Sequence, residues 1–147
     1  MKTNTETLPS ACWNTITTYH NHQTKQVNAF LKKWELSHTM LEVLRCLKAT
    51  TCTSQKEIAQ SIQVTDGTIS QGVKKLFARQ LIKKYRHRKI NYFHLTPAGE
   101  LFLNEVLPAY EAFQAQQFSL LSLAQQKTLY ELVTQLHTTQ PEEGDAR

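Results

Sequence analysis

The sequence predicts a mainly α-helical fold carrying one small β-hairpin, and three observations lead there. Apolar residues recur at helical spacing through most of the chain between residues 11 and 137, and several of these stripes open on a capping residue. Residues 81–95 break that period, with two runs rich in β-branched and aromatic residues around a basic tetrapeptide. Just ahead of the hairpin, two short amphipathic segments are separated by only three residues, which leaves room for nothing but a tight turn.

A first helix is predicted from about Ala11 to Trp34. Trp13, Ile16 and Tyr19 recur every third residue, and Val27, Phe30, Leu31 and Trp34 follow at i, i+3, i+4 and i+7. A helix this long needs tertiary or subunit partners to bury its stripe. Ser37 is the N-cap of a second helix whose inner face is Met40, Leu41, Val43, Leu44 and Leu47. Ala49 to Thr53 reads as a short extended connector. Ser54-Gln55-Lys56-Glu57 is a capping box, opening a short third helix that buries Ile58, Ala59 and Ile62. Gln63-Val64-Thr65 makes the turn, and Thr65 caps a fourth helix with Ile69, Val73, Leu76 and Phe77 on its inner face. Two short helices so joined, the second richer in exposed polar and basic groups, form a helix-turn-helix.

Leu81–Tyr85 and Ile90–Leu95 are the predicted strands, with Arg86-His87-Arg88-Lys89 as a basic tip that lacks an Asn-Gly or Asp-Gly turn signal. Thr96-Pro97 is a strong helix start. The fifth helix buries Phe102, Val106, Tyr110 and Phe113, with a kink predicted at Pro108. A second capping box, Ser122-Leu123-Ala124-Gln125, opens the last helix with Leu129, Leu132, Val133 and Leu136 aligned. Residues 138–147 read as a frayed acidic tail and residues 1–10 as a flexible N-terminus.

The charge is unevenly spread. Residues 61–95 carry eight Lys and Arg against Asp66 alone, a net +7, whereas residues 96–147 carry two against seven acids, a net −5. A polyanion drawn to the basic quarter releases counterions from its phosphates, so double-stranded DNA is the partner class this pattern suits, with a solvated basic face as the plainer alternative. Three cysteines without CxxC spacing argue against a disulfide framework or zinc ribbon, and no apolar run approaches membrane length. A cytoplasmic protein is expected, with no membrane association and no cofactor. The residues contain no Gly-rich phosphate loop, nucleophile elbow or paired carboxylates, so no enzyme is expected. The histidines are scattered, and the His38–Glu42 pair reads as a helix first turn, so no metal site is expected.

The outer face of the fourth helix suits a major groove. Gln71 has the amide geometry to pair with adenine, Thr68 and Ser70 offer hydroxyls, Lys74 and Lys75 suit phosphates, and Gly67 permits close backbone approach. Ser54 and Thr65, at the starts of the two helices, complete that set, and Arg86, Arg88 and Lys89 on the hairpin suit phosphates or a narrow minor groove.

In order and spacing these segments resemble the winged helix-turn-helix of the MarR family of bacterial regulators. Ile58-Ala59, Val64-Thr65, Thr68-Ile69-Ser70, Val73 and Leu76 occupy that family's core offsets. Leu95-Thr96-Pro97-Ala98-Gly99 resembles its Leu-Thr-x-x-Gly, and Leu120-Leu121-Ser122 with Gln125 resembles the start of its last helix. The resemblance spans residues 11 to 137. It implies a winged helix-turn-helix over residues 37–96, flanked by an N-terminal dimerisation helix at 11–36 and C-terminal dimerisation helices at 97–137. It implies a homodimer on a pseudo-palindromic operator, acting as a repressor, with a small-molecule effector held among the first, second and fifth helices. The hairpin departs from the family. His87 and Lys89 stand where members usually carry Asp and Arg, Gln80 stands where many have Gly, and the wing is about three residues shorter. Peroxide-sensing members have a reactive cysteine near the start of the first helix, which makes Cys12 the redox candidate. A redox-sensing regulator and a winged-helix protein-interaction module without DNA binding are the alternative readings.

Overall fold

A computed structural model describes residues 5–50 and 52–138. The chain divides into two compact units, one running to Leu107 and the other starting at Pro108. The first unit holds the predicted helix-turn-helix and hairpin.

Helix α1 (Leu8–Leu31) starts three residues before the predicted point, because the Thr7 hydroxyl caps it by accepting the Ser10 N–H and Pro9 suits its first turn. The expectation of a flexible segment over residues 1–10 is corrected accordingly, since residues 8–10 are helical; residues 1–4 lie outside the described residues. The helix ends earlier than predicted too. Lys32–Trp34 tighten into a 3-10 turn, and Glu35 takes a left-handed φ of 54° that turns the chain toward the next element.

Helix α2 (His38–Ala49) is capped by Ser37 as predicted and buries all five predicted apolar residues. Strand β1 (Thr53–Ser54) runs into α3 (Gln55–Ile62), where the full capping box forms. Of the predicted inner face of α3, Ile58 and Ala59 are buried and Ile62 is half-buried. Gln63, at φ 55°, turns the chain into α4 (Asp66–Ala78), capped by Thr65. Helix α4 buries Ile69, Gly72, Val73 and Leu76, the i, i+3, i+4, i+7 stripe that packs on α2 and α3. Phe77 departs from its predicted place on the inner face. It lies one residue beyond that stripe and is 48% exposed.

Strands β2 (Ile82–His87) and β3 (Ile90–Leu95) form the hairpin, and β1 completes an antiparallel sheet of order β1-β3-β2. Ile82 and Phe93 are buried on the sheet face that meets the helices. Helix α5 (Pro97–Gln117) opens on Thr96, whose hydroxyl accepts the Gly99 N–H at 2.9 Å. Leu103, Val106 and Tyr110 are its buried residues, while Phe102 and Phe113 are only half-buried. The helical assignment continues through Pro108. Helix α6 (Leu123–Thr138) opens on the predicted Ser122/Gln125 capping box and buries none of its residues within the chain. Residues 139–147, most of the expected frayed tail, lie outside the described residues.

Candidate nucleic-acid interface

Packing one stripe of α4 against α2 and α3 fixes what the opposite stripe presents. Gly67, Thr68, Ser70, Gln71, Lys74 and Lys75 are all exposed there, so the fold brings six of the predicted residues onto one helix. A Cβ placed on Gly67 meets nothing within 4 Å, so its surroundings are open to a close-approaching ligand. Thr65 is exposed beside them, its hydroxyl 2.8 Å from that of Thr68 and accepting the Thr68 N–H. The N-terminal end of α4 adds the positive end of a helix dipole, offset locally by Asp66.

Ser54 does not join this group. It is 8% exposed, its hydroxyl accepts the Glu57 N–H at 3.2 Å, and it sits in β1 paired with Tyr92. Its hydroxyl is engaged in capping α3, a structural role that the exposed residues of α4 do not have. The same box shapes Glu57, whose carboxylate accepts from the Thr53 hydroxyl at 2.6 Å and the Ser54 N–H at 3.1 Å. These two bonds, Thr53 first, hold its pKa below the ordinary carboxylate value.

The hairpin is more regular than the sequence suggested. Pairing runs from Ile82↔Leu95 to His87↔Ile90, so Arg86 and His87 belong to the strand and the loop is only Arg88-Lys89. Both loop residues have left-handed φ, 49° and 66°. Of the two-residue loops that match strand twist, type I′ is the one with positive φ at both positions, so Arg88 and Lys89 adopt that turn although neither is the usual Asn or Gly. Left-handed φ costs a side-chain-bearing residue roughly 1–2 kcal/mol, so this tip holds two cations at an energetic disadvantage. Directly paired residues share a sheet face. Lys84 and Arg86 therefore lie on the face of buried Ile82 and Phe93, while Lys83, Tyr85 and His87 lie on the other. The wing's charge is thus spread over both faces and the tip. The Lys84 ammonium lies 5.6 Å from the exposed Phe77 ring, linking β2 to the end of α4.

Arg79, one of the eight cations in the basic quarter, does not join the others. Its guanidinium donates to the Trp34 carbonyl and the Glu35 carbonyl, each at 3.0 Å, and lies 5.0 Å from the Phe102 ring centre. The sequence offered no signal for this, because its partners are backbone carbonyls 44 and 45 residues away.

Cys12 is exposed in the first turns of α1, Cys46 is partly buried and Cys52 is exposed. Among the described residues no group of three or more His, Cys, Asp or Glu side chains is placed to share a metal ion, and no helix is long and apolar enough to cross a membrane.

The profile described as the MarR family matches residues 36–89, which run from the start of α2 to the wing tip. An uncharacterized HTH-type transcriptional regulator from Bacillus cereus is 32% identical over 132 residues, spanning 89% of this chain and 90% of that protein. The chain belongs to the MarR family. Solved members share its fold at lower identity. A mutant of E. coli MarR in complex with operator DNA superposes with a TM-score of 0.76 at 14% identity, covering 88% of this chain and 94% of that one. Bordetella bronchiseptica BpsR, whose DNA binding is regulated by 6-hydroxynicotinic acid, gives a TM-score of 0.80 at 16% identity, covering 90% and 98%. As a MarR-family transcriptional regulator the protein is a DNA-binding winged helix and not an enzyme. Within that frame α3–α4 form the helix-turn-helix, whose second helix is the recognition helix in DNA-binding proteins of this kind, and β2–β3 form the wing.

Proposed function

We propose that this MarR-family regulator is a cytoplasmic homodimer that binds a pseudo-palindromic operator, represses the genes beside it and releases the operator on binding a small-molecule effector. The observation that carries the dimer is the apolar surface the chain leaves uncovered. On α1, Trp13 is 69% exposed and Ile16 is also exposed; on α6, Leu129, Leu132, Val133 and Leu136 are exposed. Apolar stripes of this kind on long helices need a partner, which supports a dimerisation role for residues 11–36 and 97–137. A twofold dimer duplicates α4 and so reads two half-sites about one helical turn of DNA apart.

In this reading Thr68, Ser70 and Gln71 face base edges, Lys74 and Lys75 face phosphates, and Thr65 and Gly67 let the start of α4 approach the duplex. Arg86, Arg88 and Lys89 bring the wing to the flanking backbone or minor groove. An effector with differential affinity for the DNA-competent form shifts operator occupancy. The fold shared with BpsR, whose DNA binding answers to a small molecule, supports that part.

The test is binding of purified protein to its own upstream DNA across a salt series, with a scrambled duplex as control and mass measured in solution. The expected result is a dimer with tight, sequence-selective binding and a steep salt slope that Lys74→Ala and Arg88→Ala reduce. A monomer, or binding indifferent to sequence at every upstream duplex, overturns the proposal.

A further inference from the structure

The C-terminal end of the recognition helix is fastened to segments that flank the helix-turn-helix on both sides. After Ala78 the backbone reverses through Gln80 at φ 57°, and the Leu81 N–H returns to the Leu76 carbonyl. Three contacts then fix this corner to the start of α5. The Thr96 hydroxyl donates to the Gln80 carbonyl at 2.7 Å, the Thr96 N–H donates to the Leu81 carbonyl at 3.1 Å, and Gly99 lies so close to Leu81 that a Cβ would stand 2.0 Å from its carbonyl oxygen. Arg79 adds the remaining link. Its planar fork reaches the Trp34 and Glu35 carbonyls at the end of the 3-10 turn that follows α1, while the guanidinium lies 5.0 Å from the centre of the Phe102 ring of α5. Those carbonyls lie past the last helical turn of α1, where backbone acceptors lack intrahelical donors and the helix dipole favours a cation.

We propose that Arg79 is a positioning residue that fixes the C-terminal end of α4 to α1 and α5, so that these two helices set where the recognition helix lies and hence which half-site spacing is accepted. The inference rests on the dimeric, operator-binding reading above. Leverage gives it consequence. A 13-residue helix is about 20 Å long, so a pivot of about 10° at the anchored end displaces the far turn by about 3 Å. That is close to the roughly 3.4 Å between successive base pairs along one strand. Lysine is no substitute in this geometry, because an ammonium lacks both the planar fork and the stacking face.

The experiment first selects preferred duplexes from a random pool with the wild-type protein. Affinity and salt slope are then measured for the selected duplex and for versions with one base pair inserted or removed between half-sites, using wild type, Arg79→Lys, Arg79→Gln and Phe102→Leu. If the wild type selects no sequence, the operator-binding reading fails and not this inference alone. The inference expects Arg79→Gln to lose about tenfold in affinity for the selected duplex and most of its discrimination between spacings, a coupling of ordinary allosteric size. The salt slope stays unchanged, Arg79→Lys gives no rescue, and Phe102→Leu shifts the spacing profile in the same direction. A salt slope smaller by about 1.8, one phosphate contact from each protomer, with full rescue by lysine would make Arg79 a phosphate contact. A lowered melting temperature with an unchanged spacing profile would make it structural only. Either result overturns the proposal, and Phe102→Leu supplies the spacing profile if the Arg79 variants do not fold.

Discussion

Gly99→Ala tests the junction between wing and α5 most sharply. The new methyl would sit 2.0 Å from the Leu81 carbonyl oxygen and 2.9 Å from its carbon, about 1 Å inside the 3.0 Å that real Cβ contacts keep. Both obstacles are backbone, so no rotamer change relieves them. Leu81 has to move by about 1 Å, which strains the Thr96 N–H bond to Leu81 and the hydroxyl bond to Gln80. The Gly99 N–H bond to the Thr96 hydroxyl is strained with them. Three bonds at about 1 kcal/mol each, plus the penalty for buried groups left poorly paired, come to roughly 3–5 kcal/mol. The better helix propensity of alanine returns about 1 kcal/mol. A net loss of about 2–4 kcal/mol lowers the melting temperature by roughly 5–15 °C for a chain of this size, measured at matched protein concentration because any self-association couples to stability. Gly67→Ala is the control. Nothing lies within 4 Å of its Cβ, so stability is expected to hold or rise by up to about 1 kcal/mol, while operator affinity falls because the methyl enters the space left for DNA. A Gly99→Ala protein melting at or above the wild-type temperature would refute the close-approach argument.

Other perturbations give equally definite outcomes. Replacing the wing turn by Arg88→Asn with Lys89→Gly relieves two left-handed side chains, so stability rises by about 1–2 kcal/mol while the salt slope of DNA binding by the dimer falls by up to about 3.6; a destabilised double variant would contradict the assigned turn. The lowered pKa of Glu57 means its carboxylate stabilises the fold above the ordinary value of 4.5, and that contribution is lost as pH falls through the lower folded value. Glu57→Gln therefore removes part of the acid-side slope in stability, and an unchanged slope argues against the capping-box bonds. Trp13→Glu places a charge on the exposed stripe of α1 and is expected to shift the solution mass from dimer toward monomer. Cys12→Ser is expected to leave operator affinity unchanged without oxidant. If the same variant abolishes a response to peroxide, the redox reading replaces the small-molecule one.

Much of the fold is legible in the sequence because its signals are local. The capping boxes at Ser54 and Ser122, the Ser37 and Thr65 caps, and the stripe Met40, Leu41, Val43, Leu44, Leu47 depend on residues within a turn or two of each other. The exposed face of α4 follows from its buried one, so Gly67 to Lys75 emerge together. Misassignments fall where a distant neighbour decides. Phe77 belongs to the apolar period but lies at the edge of the stripe that α2 and α3 cover, and it stays exposed beside Lys84. Leu103, rather than its neighbour Phe102, takes the buried position in α5, and the Phe102 ring meets the Arg79 guanidinium. Ser54 reads from sequence both as a cap and as a DNA contact, and only its burial in β1 separates the two.

The sequence by itself determined the helical order, the caps, the helix-turn-helix, the basic quarter and the family, because periodicity, capping and motif spacing act over a few residues. Only the tertiary structure decided that the wing turn is Arg88-Lys89 with both residues left-handed, since cross-strand register assigns the loop. It alone withdrew Arg79 from the basic surface and set it between α1 and α5. A guanidinium bonded to carbonyls 44 and 45 residues away leaves no trace in local spacing, because a backbone acceptor has the same chemistry in every residue.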